Sequence, residues 1–564
     1  MRRFLIGVIA GAIVISSAAF SQTPANEHNC PATTAIPPYV GTGTKTFSPN
    51  QNLCMPQLAP TPTGLSPLGF VVSGAEPGDR VDSQGSIYVV SIRGVPGGID
   101  LWRWYAPDDG AVNKNKTIPF RYEGQPDNCG IFSFANGGCA NNTGSATNLG
   151  LAPGGGDADI AVNSPNSVTN VPNVAVTSLT AAPGVTATNS SDRGNNFFTP
   201  PNIAAPLIPV DDRQWQDAID TSTVYLSYHD VATFNIDVQR SNDGGLTYVN
   251  GAGEAIDAQT APTATSAAGS ANTAGQIRLD KSNCSSRGNL YDVFVAPDSA
   301  TENVNSAPQR TAYVAVSTDA KLGGPTFTFT DHKIFTSPTG SLAATNGIDQ
   351  IFPAIAVDNF GYLYAVWSDN SNIFLSSSND LGTTWRTTPI QVNQGATVGK
   401  ANVFPWIAAD ASGHVVVTWY GANLAGNSND TNSMEKTCSD GTVSCWAQWN
   451  VYAAESVNAH NANANFTQTT VSDHVIHYGT VSTGGTFGNA NRNLADFFQV
   501  AFDPQHRANI TFADDHLVSP LCSTQTPGHC ANSDPASFRV ATPFFTYELK
   551  SPQGVVTTGK CAGM

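Results

Sequence analysis

Charged residues gather at a few places in a chain otherwise poor in them. Asp157 and Asp159, Asp212 with Arg213, Arg287, Asp349, and Arg492 with Asp496 stand at or just ahead of short strand-like segments. Tyr228-His229-Asp230, Ser368-Asp369, Tyr420 and Asp514-Asp515-His516 follow such segments. Guanidinium groups at Arg213, Arg287 and Arg492 can grip a carboxylate through paired hydrogen bonds that supply orientation as well as charge. Charges at such positions also often do no more than hydrate a channel or pair with one another. His229 beside Asp230, and His516 after Asp514-Asp515, lack defined metal-ligand spacing, and no Gly-x-Ser-x-Gly anchors a Ser/His/Asp system. The expectation is no metal and no cofactor, with catalytic roles unassigned within this set.

Residues so far apart in sequence need a repeated element to bring them together. Ser378-Asn-Asp380-Leu-Gly382-Thr-Thr384-Trp385 is matched by Ser241-Asn-Asp243-Gly-Gly245-Leu-Thr247-Tyr248. Degenerate copies are Ser190-Ser-Asp192-Arg-Gly194-Asn-Asn196-Phe197, and Ser317-Thr-Asp319 with Phe327 after an insertion. A short acid can accept hydrogen bonds from turn N–H groups, Gly permits positive φ, and the final aromatic packs between sheets. Asp192, Asp243, Asp319, Asp380 and Trp385 therefore read as structural. Around them runs a longer repeat: Ile351–Asp358, Gly361–Trp367, Asn372–Ser377 and the stretch after Trp385 make one four-stranded unit. Matching inner strands begin near Asp159, Trp215, Tyr291, Phe404 and Phe497, with an earlier copy from Arg80. The pattern predicts an all-β, seven-bladed propeller of four-stranded antiparallel blades, or six-bladed if the first copy is an appendage. Chain direction puts inner-strand starts and the loops after second strands on one face, the upper, and the Ser-x-Asp turns on the other.

Those turns resemble the Asp box, or BNR repeat, of the sialidase superfamily. The resemblance implies a sialidase-like propeller with a ligand cleft at the upper axial mouth, formed by Asp157, Asp159, Asp212, Arg213, Tyr228, His229, Asp230, Arg287, Arg492 and Asp496. It also implies an arginine cluster from Arg213, Arg287 and Arg492 for a sugar carboxylate, an acid among Asp157, Asp159, Asp212 and Asp230 to protonate the leaving oxygen, and Tyr228, Tyr420 or Tyr478 as a nucleophile assisted by Glu. The superfamily's Phe/Tyr-Arg-Ile-Pro segment is absent here, and no Tyr/Glu partner can be named. Two readings stay open: a glycan-directed protein, as a glycoside hydrolase or binder, and a non-catalytic propeller for proteins or polysaccharides at the cell surface.

Composition narrows the partners. The chain has 564 residues, 12% of them charged, and a net charge of −17, the wrong sign for neutralising phosphates. Nucleic acid is excluded as a partner; an extracellular glycan or a cell-surface protein is expected, with the chain a monomer. Arg2 and Arg3, an apolar run from Phe4 to Ile15 and small residues from Ser16 to Ala19 read as a signal peptide over 1–21. Its apolar core is too short to span a bilayer, so no membrane span is expected after cleavage, and the location is secreted, periplasmic or cell-surface. Residues 22–70 read as a Cys-containing extension and 71–564 as one propeller. Ten cysteines suggest disulfides, with local pairs Cys30–Cys54, Cys129–Cys139, Cys438–Cys445 and Cys522–Cys530, leaving Cys284 and Cys561 over.

Overall fold

The computed structural model describes residues 39–563 except 54–73, 95–97, 105–119, 128–153, 181–183, 195–196, 198–201, 204–210, 231, 258–271, 299–308, 339–346, 349, 442–444, 484–489, 520–521 and 532–533. The signal peptide, Asp349, Cys30, Cys54, Cys129 and Cys139 lie outside the described residues.

Seven antiparallel sheets of four strands, one carrying a short fifth, stand around an axis. Their inner strands are Ala75–Val81, Ala158–Val162, Asp211–Ile219, Thr273–Leu279, Ala354–Val357, Asn402–Ala409 and Gln499–Phe502. Each packs beside the next, and the last beside the first. Blades are covered on both faces by neighbours, so middle strands are buried on both faces rather than alternating. Every residue of Leu363–Ser368 is buried, and Trp367 stacks between Phe335 and Phe374 at centroid distances of 5.5 and 6.4 Å.

Closure joins the two ends of the chain. The seventh blade takes its outermost strand, Gln51–Asn52, from the N-terminal segment, with Gln51 opposite Phe545 and Asn52 opposite Phe544. At the other end of the chain, Val556 accepts from Ser412 N, Ala562 donates to Phe360 O and Gly563 to Asn379 O. This tail straps the lower turns of the fifth and sixth blades, and Cys561 bonds to Cys284 in a lower turn of the fourth. The other disulfides among the described residues are Cys438–Cys445 and Cys522–Cys530, as the spacing predicted.

The Ser-x-Asp turns join third to fourth strands. Asp380 accepts from Ser378 Oγ at 2.8 Å and from Thr384 N at 2.8 Å, while Gly382 N donates to Ser378 Oγ at 3.0 Å. Asp243 makes the same bonds to Ser241 and Thr247. A further turn of this geometry escaped the sequence reading because Asn replaces Asp: Asn458 accepts from Ser456 Oγ and Asn465 N, both at 3.0 Å.

One strand assignment is corrected. The fourth blade's inner strand is Thr273–Leu279, and Leu290–Ala296, read as inner around Tyr291, is its second. The true inner strand carries Gly275 and Gln276 at a bulge between Ala274 and Ile277, which breaks the apolar signature. A Cβ at Gly275 would lie 2.4 Å from Pro353 O, so close backbone approach requires Gly there.

Candidate functional site at the upper axial mouth

Bulges at the upper ends of inner strands aim side chains toward the axis. In the first blade the register shifts between Ala75 and Gly78, and Glu76 adopts φ 49°. In the third it shifts between Asp212 and Gln214, and Arg213 adopts φ 54°. Left-handed backbone at two non-glycine residues costs on the order of 1–3 kcal/mol each and marks positions that the surrounding structure holds in place.

Arg213 is the hub they form. Its Nη1 lies 3.0 Å from Asp157 Oδ2 and 3.3 Å from Glu76 Oε1, its Nη2 donates to Asp496, and its Nε is 4.0 Å from Asp212 Oδ1. Arg492 grips Asp496 through both terminal nitrogens at 2.6 and 2.7 Å. Four elements thus meet on one guanidinium: the first blade, the approach to the second, the third blade, and the approach to the seventh. The guanidinium also lies over the Phe352 ring, 4.8 Å from its centroid. Below, Trp215 meets Phe352, Trp406 and Phe497 at 5.7, 5.1 and 4.7 Å. Because these rings come from the third, fifth, sixth and seventh blades, they join across the axis and form an aromatic floor.

The carboxyl groups divide by environment. Burial pushes Glu76 well above the usual carboxylate range, and neighbouring Asp157 adds to it against the pull of Arg213. Asp157 is raised by burial, with Arg213 opposing. Asp496 is also buried, yet Arg213 and Arg492 outweigh desolvation and hold its carboxyl low. Two carboxyls facing one another cannot both ionise cheaply, so Glu76 and Asp157 bind a proton more readily than Asp496, whose two guanidinium partners favour the carboxylate. Asp212 is the open member, its side chain 55% exposed against 13% for Asp157.

The expected cleft residues separate accordingly. Asp157, Asp212, Arg213, Arg492 and Asp496 converge. Asp159 sits deeper in the channel, accepting from Arg80 Nη2 at 3.0 Å and Gln216 N at 2.7 Å. His229 pairs in register with Asp212, is buried, and has no hydrogen bond at Nε2; burial lowers its pKa. Tyr228 packs between blades and donates to Asp237 at 3.2 Å, while Asp230 caps its own turn through Ala232 N at 2.7 Å. Tyr420 is buried, sharing hydrogen bonds with the Ala513 backbone. Arg287 is the clear correction: it belongs to the lower turn between first and second strands of the fourth blade, where Nη2 pairs with Asp220 at 2.7 Å. The misplacement follows from the strand error at Tyr291, and the expected convergence of Arg213 and Arg287 does not occur. Glu76 was missed; its signal, Glu-Pro-Gly ahead of an alternating segment, is that of a bulge rather than a site.

A cavity of about 520 Å³ opens at the opposite, lower mouth, lined among others by Asp79, Arg80, Asp217, Arg278, Asp410 and His506. Its polar groups are mostly committed to structure. Asp82 and Asp358 cap turns, Lys281 Nζ donates to Asp217 at 2.6 Å, and Arg80 binds Asp159. The upper mouth, where carboxyl groups differ in protonation around one cation, is the stronger place for chemistry.

No protein-family model and no curated protein matches the chain. Solved structures do match it. The α-L-arabinofuranosidase Arb93A from Fusarium graminearum is 13% identical with TM-score 0.37, covering 67% of this chain and 94% of its own. The leech intramolecular trans-sialidase is 10% identical with TM-score 0.37, covering 84% of this chain and 68% of its own. The intramolecular trans-sialidase from Ruminococcus gnavus is 10% identical with TM-score 0.34, covering 84% and 94%. Similarity at this level bears on no residue of the site.

Proposed function

We propose that the protein is a glycan-directed propeller that hydrolyses a neutral glycosidic linkage at its upper axial mouth. One observation carries this reading: a single guanidinium gathers four carboxyl groups, and burial raises the proton affinity of Glu76 while Arg213 and Arg492 lower that of Asp496. Arg213 is already engaged by three of them, so it is not available to grip a ligand's carboxylate. With two cations, Arg213 and Arg492, among four acids, the mouth repels anions, and a sialic-acid-type ligand is disfavoured.

The roles follow from exposure and proton affinity. Asp157 presents the proton it shares with Glu76 to the leaving oxygen, and Asp212, the most open carboxylate, serves the opposite side of the linkage as base or nucleophile. Arg213 positions both, and the buried aromatic cluster beneath it holds the guanidinium in place. The test is a panel of neutral and anionic chromogenic glycosides, with wild type, Asp157→Asn and Asp212→Asn compared and thermal melts as the folding control. Turnover confined to neutral glycosides and lowered about 10²–10⁴-fold in either variant is expected. No turnover of any glycoside by the folded wild type would move the protein to the partner-binding reading.

A further inference from the structure

A second set of chemistry-bearing side chains lies at the seam of the sixth and seventh blades, away from the Arg213 cluster. His474 follows the sixth blade's outer strand, Thr467–Thr470, and Asp514 and His516 end the seventh blade's second strand, Ala508–Asp514. His474 and His516 are 42 positions apart in sequence, which is why neither showed ligand spacing. Their ligating atoms and an Asp514 oxygen fall within 4.8 Å of one another.

We infer that His474, Asp514 and His516 form a binding site for a first-row divalent cation, zinc being the natural probe. Two imidazoles and a carboxylate are a three-ligand set that zinc accepts, leaving a position for water. Three further features fit a metal better than a salt-bridge network. First, Asp473 Oδ1 bonds to His474 Nδ1 at 2.7 Å, which leaves Nε2, now 2.7 Å from Asp514 Oδ2, to face the metal; a carboxylate behind a ligating imidazole is the usual orienting partner. Second, one carboxylate faces both imidazoles: Asp514 Oδ1 is 2.7 Å from His516 Nδ1 and its Oδ2 2.7 Å from His474 Nε2, so a cation between the rings would meet all three groups. Third, His516 Nε2 is buried with no hydrogen-bond partner, so this ring is not a fully bonded structural histidine. His477 nearby is one: its nitrogens meet Asp515 at 2.9 Å and Thr480 O at 2.8 Å.

The site would fasten ring closure. The edge of Tyr39 meets both imidazoles, at 5.1 and 4.5 Å. Asp473 Oδ2 accepts from Gly43 N at 2.5 Å and Asn50 N at 3.2 Å, next to the closing strand. Gly41 is packed so closely that a Cβ there would lie 2.2 Å from Asp473.

The experiment strips the full-length protein with chelator, dialyses it against zinc and measures bound metal, affinity and melting temperature. About one zinc per chain from this site and a raised melting temperature are expected. His474→Gln and His516→Gln should each weaken zinc binding at least tenfold, and Asp473→Asn about 10–100-fold. His506→Gln, in the Asp410/His414/His506 cluster at the lower mouth, should leave it unchanged. Zinc-edge X-ray absorption of the wild type, which needs no variant to fold, should show two imidazole ligands. No zinc bound, binding that survives both seam histidine changes but not His506→Gln, or an absorption spectrum without two imidazoles would overturn the assignment.

Discussion

Asp79 offers a stability test with a definite sign. It lies on the first inner strand, fully buried beside the lower cavity, and neither carboxyl oxygen has a hydrogen-bond partner. Burial raises its pKa from 3.8 to about 8, against a smaller opposing pull from Arg80. Between those values the folded chain holds a proton that the unfolded chain has released, so unfolding is favoured as pH rises. The contribution is intact below about pH 4 and erodes up to about pH 8, at about 1.4 kcal/mol per pH unit. From pH 5 to pH 7 the loss assigned to this one carboxyl is therefore about 3 kcal/mol. Asp79→Asn removes the titration and keeps the shape. Urea unfolding of wild type and variant at pH 5, 6 and 7 isolates the residue, since other titrating groups act on both chains alike. The variant should gain about 3 kcal/mol relative to wild type over that interval. A difference constant to within about 0.5 kcal/mol would show that Asp79 is hydrated and ionised in the folded protein, refuting the reasoning.

Two further outcomes test the frame that holds the site. Asp380→Ala should lower stability by about 1–3 kcal/mol, through loss of the bonds to Ser378 and Thr384, and leave glycoside turnover per folded molecule unchanged; a normal melting temperature with lost turnover would contradict its structural role. Cys561→Ser should release the C-terminal strap, making the segment after Leu549 cleave faster in limited proteolysis while the ring stays folded, because Cys561 lies in the tail outside the seven sheets.

The propeller was legible because its repeat is local. Asp380, Gly382 and Trp385 satisfy one turn, and the same letters recur at Asp243, Gly245 and Tyr248, so spacing alone reports the bonds. The site was legible only where its residues sit at strand starts, as do Asp157, Arg213 and Asp496. Glu76 was hidden because its role depends on a bulge that turns it toward Arg213, and no local pattern announces the direction of a side chain at positive φ. Arg287 failed for the opposite reason. A strong apolar run at Leu290–Ala296 outweighed the weaker Thr273–Leu279, and one misassigned strand moved the arginine to the wrong end of the barrel axis. His474 and His516 meet through the packing of adjacent blades, a relation between segments that pattern within either one does not carry.

The closing strand also sets an order of events. Thr546 donates to Ser48 O across 498 positions of sequence, so this segment leaves the ribosome long before the other strands of the sheet that it completes. Until then the seventh blade presents an unpaired edge, and edges of that kind recruit foreign strands. Contacts of such long sequence separation form late and slowly, since the intervening loop must close before they contribute. The growing chain therefore spends its synthesis as an open arc of blades, and the hazard of mispairing with a second copy is greatest in the interval before residues 51 and 52 find Phe545 and Phe544.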